Sequence, residues 1–406
     1  MTYRNIDMNI SAEAKAMFEQ VKKFSMEVMR PAGISLDKFS DPADVIAKDS
    51  LLWAVTKGFR ELGLHTMQIP KSLGGLMGEF DPMAGILIAE QMGYGDSGLA
   101  ISMGVACLPF NYAAMFPMPK MQQLARDFCN DKEGRMIGCW AITEPNHGTD
   151  WSLGGSSPKC GPSVKAALRG DEYIVNGEKS SWISNGTIAT HALLHVSLEP
   201  ERGMQGQGLA IIPLDLPGIS KGKPLDKMGQ RPLNQGSIIF EDARIPKDYM
   251  AIPYPDFINA SKGQGLAIVN GGMAVVFAGL AKAAFDEAFK YSKARIQGGK
   301  PICEHTTIKL KLMKMFTLVE AARANARRMA LYNQAHPLMP SVVHAVAAKC
   351  LSTETATQVA SDAMQIFGGY GLAKEYPIEK MYRDARASMI EDGVNEAIAI
   401  KAMEYW

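Results

Sequence analysis

Apolar residues recur at three- and four-residue spacing along the first third of the chain, as in SLLWAVTKGFRELGL and FDPMAGILIAEQMGYG. With Pro and Gly at the joins, that spacing predicts helices from residue 10 to about 135. Between about 136 and 250 the texture changes to short β-type runs between turn signals: YIVNGEKSSWISNG, ATHALLHVSL, GLAIIPLDL and GSIIFEDARIP. From about 262 the helical period returns. Met273, Val276, Phe277, Leu280, Ala281, Ala284, Phe285 and Ala288 share one face, and Ile308, Leu312, Met315, Phe316, Val319 and Ala322 repeat it. HPLMP at 336–340 reads as a turn between helices, and GGYG at 368–371 breaks the next pair. The pattern predicts an α+β chain of three domains: an N-terminal all-α domain (1–135), a middle antiparallel β-barrel or sandwich (136–250), and a C-terminal four-helix bundle (251–406).

Composition narrows the possible functions. The 406 residues are 47% apolar, enough for several packed cores. Lys and Arg number 43 against 42 Asp and Glu, so no net field exists to hold nucleic acid, and an anionic ligand must be met by local charges. Six cysteines are scattered without a CxxC pair, which argues for a reducing compartment and against a zinc site or disulfide framework. No continuous run approaches 18 apolar residues, and MTYRNIDMNISAEAKAMFEQ lacks an h-region or transit character, so the expectation is a cytoplasmic protein without membrane insertion. The 26 methionines read as adaptable core filler. GQGLAI at 206–211 and at 263–268 lacks the third glycine of a dinucleotide fingerprint, and no phosphate loop, HExxH or GxSxG is present.

The informative motifs begin at IGCWAITEPNHGTDWS, followed by GDEYIVNGEKSSWISNG, KMGQRPLNQGSIIFEDARIP, ARIQGGKPICEH and MQIFGGYGLAKEYPIEKMYRDARA. In this order, over nearly the whole chain, they resemble the acyl-CoA dehydrogenase family of FAD-dependent flavoenzymes. A flavin needs a flat apolar wall with a few hydrogen-bonding groups, and Trp140, Ile142, Thr143, Trp182 and Ser184 offer that mix. The resemblance implies that Trp140, Ile142 and Thr143 line the flavin, with Gly148 and Ile183 in the same two motifs. It also implies that Trp182 packs on the ring, that Ser184 lies close to N5, and that Thr149 contacts the acyl-CoA substrate. On composition alone both tryptophans would be ordinary β-domain core. Arg295 and Gln297 match positions that reach the FAD of a neighbouring subunit, with His305 and Thr306 on the adenosine side and Gln365 and Gly369 in the companion segment. Arg295 alone is equally a complement to a helix C-terminus. Gly298 stands where the family carries an aromatic. The family also implies a homotetramer and an electron-transfer flavoprotein as electron acceptor.

Desaturation of an acyl thioester needs a base for the α-proton while the β-hydrogen leaves as hydride to flavin N5. Aligning MIEDGVNE on the glycine of the family's Y-E-G-T puts Asp392 at the base position and Glu391 at the preceding aromatic; Glu391 is the alternative base. The Asp392 backbone N–H would, by the same resemblance, donate to the thioester oxygen. The other family location for the base is empty here, because no Asp or Glu falls between Asp256 and Asp286. Asp96 in GYGDSGLA is a remoter base but reads better as a helix cap. An aspartate is one methylene shorter than glutamate, and a misplacement of about 1 Å can cost roughly a hundredfold in rate. Val394 and Glu396 also replace a hydroxyl and an amide that usually contact FAD. Three readings follow: a dehydrogenase for a branched, cyclic or aryl-bearing acyl-CoA, a nitroalkane-oxidase-like enzyme, since such family members use an Asp here, or a non-catalytic FAD-binding partner subunit.

Overall fold

Side chains with an oxygen one or two bonds from Cβ start the N-terminal helices where the apolar period starts. Ser11 Oγ accepts from Ala14 N at 3.2 Å at the head of α1 (Ala12–Phe24), and Asp96 Oδ1 accepts from Leu99 N at 2.9 Å at the head of the Ser97–Ala113 helix. In this computed structural model residues 9–155, 157–257 and 264–406 are described. The first eight residues, part of the stretch read for targeting signals, and Gly263 of the second GQGLAI lie outside them. The first domain continues with α2 (Arg30–Leu36), α3 (Leu51–Glu61), α4 (Pro82–Gly95), α5 (Ser97–Ala113) and α6 (Pro119–Asn130).

The β-domain follows as β1 (Gly138–Ala141), the short helix α7 (Asp150–Leu153), β2 (Lys165–Arg169), β3 (Glu172–Lys179), β4 (His191–Ser197), β5 (Gln207–Pro213), β6 (Ile219–Lys221), β7 (Ile238–Pro246) and β8 (Met250–Ile252). Strands run in the order β6-β7-β3-β2-β4-β5-β8, with β1 beside β4. Most pairings are antiparallel, as the alternating runs predict, but β1 and β2 both run parallel to β4. A parallel partner needs a crossover rather than a tight turn, and the chain between Ala141 and His191 supplies one. Both faces of β4 and β5 are covered: Leu194, Val196 and Ile212 face the β-domain core, while Leu193, Leu209 and Ile211 pack with Ala113 and Met121 of the first domain. Their near-continuous apolar runs follow from that double burial.

The last domain is built on α8 (Gln264–Ala294), a hairpin of β9 (Ile296–Gln297) and β10 (Lys300–Pro301), then α9 (Thr306–Ala335), α10 (Val342–Phe367), α11 (Ile378–Ser388) and α12 (Asn395–Ala402). By length and composition α8 is apolar enough to cross a membrane, yet 67% of that window is buried inside the protein. It is the central helix of the bundle, and α4 of the first domain crosses it closely. A Cβ on Gly279 would stand 2.0 Å from the Glu90 carbonyl oxygen, and one on Gly93 would stand 2.1 Å from that of Val276. The first and last domains therefore share one apolar core, in which Leu99, Phe110, Phe277, Met315 and Val359 are all buried.

Two motifs of the β-domain are joined by a buried ion pair. Lys179 Nζ, at the end of β3, lies 2.7 Å from Glu144 Oε1 in the loop after β1, with both side chains fully buried. The ammonium also donates to the Ile142 carbonyl at 3.1 Å, and Glu144 accepts from the N–H groups of Ser163 and Val164. Burial pulls the Lys179 pKa down to about 8 against the opposing pull of Glu144. Removing one member strands a buried charge. Lys179→Met is therefore expected to lower the unfolding free energy by about 3–5 kcal/mol, measured by urea denaturation followed by circular dichroism.

Candidate active site

The exits of β1 and β3 lie side by side, and their loops carry the aromatic and hydroxyl residues picked out in the sequence. Ser180 N donates to the Thr143 carbonyl at 2.9 Å, which fixes the Trp182–Ser184 turn against the Ile142–Thr143 segment. Trp182 keeps 57% of its surface exposed, far more than a core tryptophan, while Ile183 behind it is buried at 2% among β-domain residues. Ile183 thus holds the turn down and offers a ligand only backbone. Trp140 is half-buried, and its indole N–H donates to His195 Nε2 at 3.1 Å. His195 must then carry its proton on Nδ1, which faces Gln207 Oε1 at 3.2 Å. Burial, with Lys179 nearby, holds its pKa down to about 3, so it is neutral and keeps this tautomer. Gln235 Nε2 braces the turn from below through the Trp182 carbonyl at 3.1 Å and Ser184 Oγ at 3.3 Å.

The loop holding Glu391 and Asp392 is brought against this wall by two ties. Val394 N donates to Thr149 Oγ1 at 3.1 Å, and Gln230 Nε2 donates to Glu391 Oε2 at 2.8 Å. Gln230 belongs to the KMGQRPLNQG segment that also supplies Gln235, and Lys227 of the same segment donates to Gln235 Oε1 at 2.6 Å. Asp392 adopts a left-handed φ of 54°, as does Gly393 at 101°. Its half-buried carboxylate has no hydrogen-bond partner among the described residues, and neither has its backbone N–H. Desolvation by burial and the charge of Glu391 push the Asp392 pKa up to about 7, against a downward pull from Lys349. Burial raises the Glu391 pKa as well, but that carboxylate is engaged by Gln230. The pair therefore divides into a tethered Glu391 and a free Asp392. Asp96 caps α5 and accepts from Lys380 at 2.6 Å, so it is structural.

The second group of sequence candidates gathers elsewhere. Arg295, Gln297, His305, Gln365 and Gly369 line one cavity of about 730 Å³, together with Tyr291, Gly298, Phe367 and Tyr370. Thr306 is exposed at the first turn of α9 and does not line it; Thr307 does. The Arg295 guanidinium lies 5.6 Å from the Tyr370 ring centre, and His305 Nε2 meets the Gln297 carbonyl at 3.0 Å. Gly298 has a φ of 58°, and the left-handed hairpin position explains why the aromatic expected there is absent. Open space surrounds both Gly368 and Gly369. A forked cation, aromatic faces and bare backbone suit an anionic ligand with a flat ring. The lining comes from the last domain alone, so within one chain this cavity and the Trp182 wall stay apart.

Sequence reasoning missed the polar residues that assemble the site: Lys349, Lys227, Gln230, Gln235 and the Glu144–Lys179 pair. The signal for Glu144, Lys179, Gln230 and Gln235 was their place inside the quoted motifs; Lys349, in the plain helical stretch HAVAAKCLS, gave none. If Glu391 acts on Asp392 through its charge, neutralising it lowers the Asp392 pKa. Glu391→Gln is expected to move the carboxyl titration of Asp392 down by about one unit, read by carbon-13 NMR of labelled aspartate with Asp392→Asn as the assignment control.

Models of the N-terminal, middle and C-terminal domains of acyl-CoA dehydrogenase match residues 11–116, 139–243 and 264–403. A Bacillus subtilis protein named "Probable acyl-CoA dehydrogenase YngJ" is 30% identical over 403 residues, covering 96% of this chain and 97% of its own. The human mitochondrial short-chain specific acyl-CoA dehydrogenase is 32% identical over 349 residues, covering 84% of this chain and 80% of its own. Among solved structures, butyryl-CoA dehydrogenase from Megasphaera elsdenii superposes with a TM-score of 0.86 at 27% identity, covering 98% of this chain and 99% of that one. Three domain matches in the observed order, and a relative matched almost end to end, make this chain a member of the acyl-CoA dehydrogenase family and an oxidoreductase of that type.

Proposed function

We propose that this protein is an FAD-dependent acyl-CoA dehydrogenase that desaturates the α,β bond of a thioester bearing a branched, cyclic or aryl group, with Asp392 as the base. The observation that carries the reading is the state of Asp392: a carboxylate free of hydrogen-bond partners among the described residues, pushed up to about 7, on a loop tied to Thr149 and Gln230. A general base works best when its pKa lies near the operating pH. Its backbone N–H, likewise without an acceptor among the described residues, suits the thioester oxygen as negative charge develops there. The shorter aspartate favours a substrate whose bulk carries the α-carbon toward it.

The residues fit the cofactor. Trp140, Ile142, Thr143, Trp182 and Ser184 would hold the flavin ring, with Gly148 and the Ile183 backbone completing the two loops. Arg295, Gln297, His305, Gln365 and Gly369 would hold the FAD of a neighbouring subunit. Bound FAD would supply the acceptor for the β-hydrogen. That division of one cofactor between chains is the basis for proposing a homotetramer, because each half-site needs the other. An electron-transfer flavoprotein is the proposed electron acceptor, and the cytoplasm the proposed compartment, since all six cysteines are free. The aspartate also favours a second reading, oxidation of a nitroalkane.

Anaerobic titration of the FAD-loaded protein with straight, branched, cyclic and aryl acyl-CoAs is expected to bleach the flavin absorbance fastest with a bulky acyl group. Asp392→Asn is expected to slow bleaching by about 10²–10⁴-fold without loss of bound flavin. Unchanged bleaching in that variant removes Asp392 from the base role, and peroxide formation from a nitroalkane and O2 without CoA favours the second reading. The wild-type bleaching rate should rise with pH through a midpoint near 7, because the base acts deprotonated.

A further inference from the structure

Lys349 sits in the middle of α10 with its side chain fully buried, and its ammonium meets the loop that carries Asp392. Nζ donates to the Gly393 carbonyl at 2.8 Å and to Asn395 Oδ1 at 2.7 Å. Asn395 Nδ2 donates in turn to Thr353 Oγ1 at 3.1 Å, one turn further along α10. These bonds clamp the chain just after Asp392, where two successive residues hold left-handed φ values. The clamp is tight from the other side as well: a Cβ on Gly393 would stand 2.4 Å from Ile398 Cγ2.

A carbonyl and an amide oxygen would be satisfied by any neutral donor, so the bonding pattern alone does not require an ammonium. Burying a charge beside two uncharged acceptors is costly unless a carboxylate balances it. Burial lowers the Lys349 pKa, and Asp392 is the first of the charges that oppose that fall.

We propose that Lys349 is a positioning residue for the base: it fixes the Gly393 carbonyl, and with it the turn at Asp392, while presenting to the Asp392 carboxylate the positive charge that favours its ionised form. This rests on the assignment of Asp392 as base. Glu391 and Lys349 act on that carboxylate, while Cys350 of α10 and Glu396 of α12 act on Lys349, and Glu354 of α10 accepts from Asn395. Lys227 from the β-domain and Asp384 from α11 act on Glu391. Burial and Glu391 disfavour the Asp392 carboxylate, and Lys349 is the group that opposes them directly. Loss of its charge therefore shifts the titration of Asp392 upward.

The test reads the carboxyl itself, so it is independent of turnover. In the FAD-loaded protein, the infrared C=O band of protonated Asp392, identified by its loss in Asp392→Asn, is expected to disappear with a midpoint near 7. Lys349→Met and Lys349→Gln are expected to raise that midpoint by about one unit or more, with the bleaching rate of any active acyl-CoA following the same shift. An unmoved midpoint in the folded variants overturns the proposal. So does failure of both variants to fold by circular dichroism, which makes the lysine a support for the fold alone. A shifted midpoint in a protein that no acyl-CoA reduces leaves the coupling in place and removes the base assignment instead.

Discussion

One buried lysine ties all three domains together at a single junction. Lys380 on α11 lies 2.6 Å from Asp96 at the head of α5 and 2.6 Å from Asp384 one turn along its own helix, and all three side chains are buried. Burial alone would lower the lysine pKa, but Asp384 and Asp96 outweigh it and hold it above its ordinary value. Asp384 also accepts from the backbone N–H of Gln230 in the β-domain, whose φ of 50° is left-handed. One ammonium thus pins an N-terminal helix cap, and through Asp384 a β-domain loop, to the last domain. Arg383 beside it adds a forked pair with Asp37 at 3.0 and 2.6 Å.

The site inherits its geometry from this junction. With its backbone held by Asp384, the Gln230 side chain reaches Glu391, and the same segment presents Gln235 beneath Trp182 and Ser184. The Trp182–Ser184 turn and the Glu391–Asp392 loop are therefore positioned by one strip of chain, KMGQRPLNQG. That economy also explains the two carboxylates. Glu391 is drawn into the polar junction by Gln230, and its neighbour Asp392, itself left-handed, keeps a carboxylate without a hydrogen-bond partner among the described residues. Adjacent in sequence, the two acids differ in their surroundings: Gln230 holds Glu391, and Asp392 takes a left-handed φ.

Much of this was legible in the sequence, for identifiable reasons. The helical face of Met273, Phe277, Leu280, Ala284 and Ala288 and the double-sided apolar runs of β4 and β5 record burial directly, since each position answers to its own local surroundings. The motif residues Trp140, Trp182, Thr149, Arg295 and Asp392 were visible as types in order. The capping role of Asp96 was visible too, though its partner on a helix nearly three hundred residues away was not. Long-range polar contacts leave no local period, so Lys349 and Lys380 read as ordinary lysines.

The sequence by itself determined the order of helical and β segments, the apolar faces and the identities of the residues fit for a flavin enzyme. The first two depend on side-chain chemistry and short-range spacing, and the last on the resemblance carried by the ordered motifs. Only the tertiary structure decided that β1 and β2 run parallel to β4, that Trp182 is exposed while Ile183 is buried, and that Arg295 and Trp182 occupy separate regions of one chain. It also separated Asp392 from Glu391. Burial raises the pKa of that carboxylate and a lysine from another helix opposes the rise, and neither exists until residues distant in the chain pack together.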